Sequence, residues 1–471
     1  MDIIEAHEAS FRDKSGFIFR YDSDIYRQVS EEFRREFDDY IASGLHQKLV
    51  DKGYIVDHQD LMLEGEDLSF KLPKGTYKVL KPEQIPYISY PYEWSFSQLK
   101  DAALLTLEIQ KLALEYGFTL KDATAFNVQF YKGRPVFIDT LSFKKYNNGP
   151  WGAYLQFCKH FLAPLTLKCW SDHRLGRLSE LFIDGISLDL ASQLLPKRTW
   201  FNFNILSHIH LHARFQGHYA LKPRSKVASN AKSNSKITKR KLSALIDSLI
   251  KFINDIKCVN TPSEWSHYYD NNNYERLAME AKESMLDTAL SSLSMPIGSI
   301  ADVGANSGNF SKIAAKYSKV VLAFDMDENA VEQHYACLKK ESSVGIYPLV
   351  LDLFNPSPAI GWHNKERASF VQRGQFNVVI ALALIHHLAI TNNVPLNRII
   401  ELFHNLALDY LILEFVPKND SQVQHLLATR EDIFPNYNEP AFEEALLGKF
   451  EVVSKGAIPH SERVLYCLRR L

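Results

Sequence analysis

The chain has 471 residues, 46% of them hydrophobic, with a formal net charge of −1 at pH 7. That length carries a prior of about three domains with ample material for large cores, and the near-zero charge excludes a whole-protein field suited to nucleic acid or an anionic membrane surface. Five widely separated cysteines without a C-x-x-C pair exclude a disulfide framework and a cysteine-based structural zinc, and they point to a reducing cytoplasm.

At the start, MDIIEAHEASFRDKSG has no apolar signal core, and no uninterrupted run of about twenty apolar residues follows anywhere. The expectation is a cytoplasmic protein without a membrane span. Residues 1–220 read as an α+β domain. It opens with a hairpin, GFIFRYDSDIYRQV, whose alternating apolar residues flank Asp22, Ser23 and Asp24. A charged helix over Glu31–Lys52, a proline-interrupted strand in GTYKVLKPEQIPYISYPYEW and a helix over Phe96–Tyr116 come next.

In LKDATAFNVQFYKGRPVFID, Asp122 and Asn127 form a D-x-x-x-x-N pattern, and two short strands joined at Lys132 and Gly133 lead to Asp139. The stretch resembles the catalytic site of protein kinases and of small-molecule kinases with the same fold. The resemblance implies that Asp122 orients an acceptor hydroxyl while Asn127 and Asp139 hold magnesium with ATP. Departures are plain: no histidine or arginine directly precedes Asp122, there is no glycine-rich phosphate loop, Arg27 occupies a strand comparable to that of the usual lysine, and Thr-Leu follows Asp139. The expectation is a degenerate kinase-like domain used for acceptor recognition or as a scaffold. Active use of Mg-ATP, and chance spacing in an unrelated fold, stay open beside it.

WGAYLQFCKHFLAPLTLKCW reads as one or two buried helices ended by Pro164. His208, His210 and His212 alternate, so a strand would put them on one face suited to a metal, but the surroundings read as helix and no cysteine or carboxylate motif accompanies them. They are taken as ordinary histidines, with no metal assigned. Residues 221–241, rich in serine, asparagine and basic residues without an acid, read as a linker. Residues 242–296 read as a helical lead-in: an amphipathic helix over Leu242–Ile256, then Trp265, Tyr268, Tyr269 and Tyr274, either a cover over a cofactor or packing against the next domain.

Ser299–Asp327 reads as strand, tight turn, helix and a second strand ending in acid. A dinucleotide fingerprint fails here, because Asn306 and Asn309 stand at its second and third glycine positions. The pattern D-x-G-x-N-x-G, from Asp302 through Gly304 and Asn306 to Gly308, instead resembles motif I of the class I S-adenosylmethionine-dependent methyltransferases. That resemblance implies S-adenosyl-L-methionine as cofactor, with the loop backbone against its methionine part. Asp325 would take the ribose hydroxyls and Asp352 would address the adenine, with Met326, Leu353 and Ala381 beside them in the pocket.

Apolar runs over Gly345–Leu351, Phe376–Leu382 and Tyr410–Phe415 alternate with helical stretches, so residues 297–471 are expected as an α/β, Rossmann-like domain with helices on both faces of a parallel sheet. Phe450–Ser454 and Arg463–Leu468 are expected to close a seven-stranded methyltransferase sheet as an antiparallel pair. FNVVIALALIHHLAI resembles motif IV of the same family, which makes His386 and His387 candidate bases for an acceptor that must lose a proton. Glu414 is a third catalytic candidate at the next strand end, with Lys418 and Asp420 beyond it as acceptor contacts or loop charges. Over the full length, the order KDATAFNVQF, PVFID, DVGANSGNF, LEFVPKND is similar to the bacterial nodulation-type methyltransferases, and the analogy with glycan-modifying enzymes implies a small-molecule or saccharide acceptor. A bifunctional kinase–methyltransferase and a non-catalytic scaffold remain the alternatives.

Overall fold

The computed structural model describes residues 6–21, 24–61, 72–214, 237–257, 276–428 and 430–471. The chain divides into two compact units, Met1–Val259 with Ala359–Arg367, and Asn260–Pro358 with Ala368–Leu471.

In the first unit, β1 (Gly16–Tyr21) and β2 (Asp24–Ser30) form the expected antiparallel hairpin. Helices α1 (Arg34–Ala42) and α2 (Leu45–Asp51) follow, then β3 (His58–Leu61) and β4 (Thr76–Pro82). The four strands lie in the order β1-β2-β4-β3, all antiparallel, with Phe19, Tyr26 and Val79 in one apolar cluster and Val29 and Leu80 in a second with Phe37 and Leu141. The single charged helix expected over Glu31–Lys52 is therefore corrected to two. The break falls at Gly44, whose φ of 77° only glycine adopts at little cost. Helix α3 (Phe96–Glu115) starts at Ser95, whose backbone N–H donates to Gln98 Oε1 over 2.9 Å in a capping box.

Beyond α3, β5 (Phe118–Leu120) pairs with β8 (Phe143–Lys145), and between them β6 (Val128–Tyr131) and β7 (Arg134–Phe137) form a hairpin. Lys132 and Gly133 turn it with φ of 49° and 74°, the left-handed pair that suits a two-residue hairpin turn. The helix expected to stop at Pro164 does not. The chain runs helically from Tyr154 through a wide π-type turn at Cys158–Leu162 into α4 (Ala163–Trp170), and that wide turn lies just before Pro164, where the proline ring and its missing N–H interrupt the regular i→i−4 ladder.

Helix α5 (Lys239–Asp255) buries Leu242, Ile246, Leu249 and Ile253 and packs on α3, with Lys111 Nζ 2.7 Å from Asp247 Oδ1. Its apolar stripe thus joins the first unit rather than a lead-in to the second. Most of the expected linker, and Trp265, Tyr268, Tyr269 and Tyr274, lie outside the described residues.

The second unit begins with α6 (Arg276–Ser291) and builds a seven-stranded sheet. Its parts are β9 (Ile300–Val303), α7 (Asn309–Ala314), β10 (Val321–Asp325), α8 (Glu328–Glu341), β11 (Ile346–Val350), β12 (Phe376–Ala381), α9 (Leu396–Leu406), β13 (Ala407–Phe415), β14 (Phe450–Ala457) and β15 (Val464–Arg470). The order is β11-β10-β9-β12-β13-β15-β14, parallel from β11 to β13, with β15 antiparallel to both neighbours. This is the methyltransferase-type sheet that the resemblance implied. Ile300, Val321, Ile346, Val378, Ile380 and Ile412 form its apolar core, β-branched residues that fit a pleated sheet buried on both faces. Among the described residues no helix is long and apolar enough to cross a membrane.

Candidate active site

In an open parallel sheet, ligands sit beyond the carboxyl ends of the strands, where the chain order reverses. Here the reversal lies between β9 and β12, and the turn after β9 carries the glycines. Gly304, Asn306 and Gly308 all have positive φ, at 81°, 49° and 87°. Asn306 keeps that conformation because its short polar side chain tolerates the left-handed region. The backbone N–H of Asn306 donates to Asp325 Oδ2 over 2.7 Å, and that of Asp327 donates to Oδ1 over 2.8 Å. One carboxylate at the end of β10 therefore holds the turn that follows β9. Gly308 has a different reason to be glycine: a Cβ there would lie 2.1 Å from the His334 ring of α8.

Asp302 is 2% exposed and accepts a hydrogen bond from Ser311 Oγ over 2.6 Å, which ties β9 to α7. Burial, opposed in part by that bond, pushes the Asp302 carboxyl up to about 6. Burial likewise raises Asp325 to about 6 against the backbone donors that favour its charge. Asp352, just past β11, accepts from the backbone N–H of Phe354 over 2.9 Å. Leu353 and Ala381 are buried, whereas Met326 and Phe354 are left 63% and 55% exposed. Two large apolar side chains thus stand open beside acids at neighbouring strand ends, and Phe354 was not a sequence candidate although it sits two residues from one.

The three catalytic candidates fare differently. Glu414 is fully buried: Oε2 accepts from Lys282 Nζ over 2.5 Å and from the backbone N–H of Ala383 over 2.8 Å, and Oε1 lies 3.2 Å from Arg463 Nη1. Arg463 in turn reaches Asp420 with Nε at 2.7 Å and Nη2 at 3.2 Å. Two cations and two carboxylates balance, as buried charges require. Direct attack on an acceptor by Glu414, or contact between Asp420 and an acceptor, is at odds with that arrangement. Ala383 has φ of 51°, a strained conformation for alanine that Glu414 pins directly after β12. Lys282 and Arg463 are the buried cations behind this strand end that sequence reasoning missed.

His386 is 1% exposed, with no hydrogen-bond partner for Nδ1 among the described residues, and its ring centroid lies 4.1 Å from that of His387. Burial lowers His386 well below the usual histidine range and lowers His387 to about 4, so both imidazoles are neutral at pH 7. Two adjacent imidazoles therefore lie just past β12, at the carboxyl edge.

In the first unit, Asp122, Asn127 and Asp139 do come together. Burial, then the charge of Asp139, raises the Asp122 carboxyl, and a hydrogen bond with Asn127 opposes that. Asp139, however, has both oxygens engaged: Oδ1 by Arg27 Nη1 at 2.6 Å and by the backbone N–H of Leu141 at 3.1 Å, and Oδ2 by Ser142 Oγ at 2.5 Å. His208, His210 and His212 lie in helix rather than strand. They part company accordingly, with Tyr154 Oη against His208 Nδ1 at 2.6 Å, and Ser192 and Thr199 hydroxyls against the two nitrogens of His210.

Against known sequences, the chain is 37% identical over 465 residues to the nodulation protein NoeA of Rhizobium meliloti (strain 1021), covering 98% of this chain and 95% of that protein. The chain belongs to the NoeA family of nodulation proteins. No family model matches it. Among solved structures, this NoeA-family chain is similar to the N-methyltransferase NodS of Bradyrhizobium japonicum WM9, with 12% identity and a TM-score of 0.32 over 42% of this chain and 98% of that one. It is also similar to the bifunctional kinase-methyltransferase WbdD, with 14% identity and a TM-score of 0.30 over 43% of this chain and 41% of that one. Likeness of that size carries no inference about chemistry.

Proposed function

We propose that this NoeA-family chain is an S-adenosyl-L-methionine-dependent methyltransferase acting on a small-molecule or saccharide acceptor. The observation that carries the reading is the turn Gly304–Gly308 held by Asp325 at the reversal point of the sheet. The residues fit the cofactor: the Asp325 carboxylate accepts backbone N–H groups from Asn306, Asp327 and Met326 and stands at the strand end where two vicinal ribose hydroxyls need a charged acceptor. Asp352 likewise keeps acceptor capacity for an adenine amine, and Met326 and Phe354 offer the apolar surface that a purine buries. Bound there, S-adenosylmethionine would supply an electrophilic methyl carbon on a sulfonium, open to an acceptor lone pair in line with the sulfur that would leave as a neutral thioether.

Catalysis then rests on orientation and on one proton. Of the two candidate bases, His387 is the less buried and the better placed to take the proton that an acceptor oxygen or nitrogen loses, and its pKa of about 4 makes it a weak base that suits an acceptor whose acidity rises as the methyl is transferred. Glu414 acts as a positioning residue, fixing the backbone at Ala383 three residues before that pair. Release of S-adenosylhomocysteine on incubation with candidate acceptors tests the reading. Failure of S-adenosylmethionine to bind the folded chain would refute it.

The first unit we read as a recognition or scaffold domain that keeps a kinase-like frame. The ion pair of Asp139 with Arg27 supports this, because a fixed guanidinium beside the carboxylate repels a magnesium ion, and Arg27 with the Leu141 N–H fills both lone pairs of Oδ1. The alternative, phosphotransfer from Mg-ATP, requires that ion pair to open.

A further inference from the structure

A second cluster of ligand-type side chains lies in the first unit, between α2 and the edge strand β3. His46, on α2, is 8% exposed, and its Nε2 has no hydrogen-bond partner among the described residues. The His58 side chain, at the start of β3, is 5% exposed, and its Nδ1 is likewise without a partner. Asp57 precedes it with a largely open carboxylate, 3.8 Å from His46 Nε2. One ligand atom from each of His46, Asp57 and His58 falls within a set whose members all lie within 4.8 Å of one another.

Two buried, unpaired imidazole nitrogens side by side are costly to leave unmet, and a shared partner removes that cost. We propose that His46 Nε2, His58 Nδ1 and the Asp57 carboxylate bind a divalent transition-metal ion of the zinc type, with water in the fourth position. The outer groups are those that such a site uses. Tyr40 Oη lies 3.1 Å from His46 Nδ1, so that nitrogen can keep its proton as a donor while Nε2 presents its lone pair. Asp60 Oδ1 lies 3.6 Å from His58 Nε2, a carboxylate behind the second imidazole in the same sense. Zinc bonds of about 2.0–2.1 Å in a tetrahedron set its ligand atoms about 3.3 Å apart, so the 3.8 Å between His46 and Asp57 closes by about half an ångström, and no pair within the 4.8 Å set closes by more than about 1.5 Å.

The mixed N₂O ligand set favours zinc over calcium or magnesium, which take oxygen ligands. The open Asp57 side gives water access. Such an ion would clamp α2 to the edge of the four-stranded sheet, across the loop that joins them. No zinc-binding sequence signature exists here, because the ligands come from a helix and a strand start rather than from a compact repeat.

The test uses the full-length, untagged protein stripped with a chelator and titrated with zinc against a chromophoric competitor, then with cobalt. The expected result is one equivalent of zinc bound at submicromolar affinity, and a cobalt form with the intense visible bands of four-coordination. His58→Gln should weaken binding by a factor of about 100 or more. Asp57→Asn, at an exposed side chain, removes a direct ligand and should weaken it by at least the factor of about 10–100 that loss of an outer-shell partner costs, with the circular dichroism unchanged. Absence of binding at micromolar zinc, or one equivalent bound equally well by wild type and by both variants, would overturn the proposal.

Discussion

The backbone N–H of Asn306 lies 2.7 Å from Asp325 Oδ2, so the turn after β9 is held by the acid that ends β10. Removing that acid should therefore do two things together. Asp325→Ala should abolish measurable S-adenosylmethionine binding, a loss of about 100-fold or more for a charged acceptor of two hydroxyls, while the chain stays folded. Isothermal calorimetry with circular dichroism as the folding control checks both.

The same carboxylate gives the cofactor site a pH dependence. Burial raises Asp325 to about 6, so it ionises through that value, and only the ionised form accepts two hydroxyl donors fully. Affinity for S-adenosylhomocysteine should fall about tenfold per pH unit below about pH 6. For stability the sign is opposite: the raised pKa favours the folded state below the unfolded carboxylate value of about 3.9, and that contribution is lost as pH rises through about 6. Asp325→Asn should flatten the affinity profile below neutrality. A profile unchanged in that variant would assign the titration to another group.

Lys282 and Glu414 form a buried ion pair at 2.5 Å with Arg463 on the other carboxylate oxygen. Lys282→Met should destabilise the second unit by about 3–5 kcal/mol, because Glu414 and Asp420 are then short of one cation. Adding Glu414→Gln to Lys282→Met should recover part of that loss. Urea unfolding followed by a probe in the second unit reads both, and strict additivity of the two changes would contradict the pairing.

Gly308 should tolerate no side chain. Its φ of 87° strains any L-residue, and a Cβ would meet the His334 ring at 2.1 Å. Gly308→Ala is expected to cost about 1–3 kcal/mol, with His334 forced to move. Thermal unfolding compared with Gly448→Ala gives the contrast, since Gly448 also has positive φ, at 71°, but nothing within 4 Å of its Cβ position.

In the first unit, Mg-ATP at millimolar concentration should leave thermal unfolding unshifted, because Arg27 is ion-paired with the Asp139 carboxylate. A stabilising shift that Asp139→Ala removes would restore the phosphotransfer reading.

Much of this was legible locally. Strands β9 to β13 announce themselves as buried apolar runs, the first three leading into Gly304, Asp325 and Asp352, and the Asp302–Gly308 turn and Asp325 are close enough in sequence to read as one motif. The break at Gly44 was visible as a glycine, but the charge pattern on either side of it reads as one helix. What could not be read was long-range pairing. Lys282 meets Glu414, and Glu414 meets Arg463, only because α6, β13 and the turn before β15 converge, and no local pattern marks a charge that will be buried. Helix α5 was legible as amphipathic but not as a partner of α3, since an apolar stripe does not name what covers it.

The central claim is that the carboxyl edge of the second unit binds an adenosyl cofactor. Calorimetric titration of the full-length protein with S-adenosylmethionine and S-adenosylhomocysteine tests it most directly. The account predicts saturable one-site binding of both, lost in Asp325→Ala and in Gly304→Val, where a β-branched residue is forced to a φ of 81°. No binding by folded wild-type protein, or equal affinity in the folded variants, would contradict it.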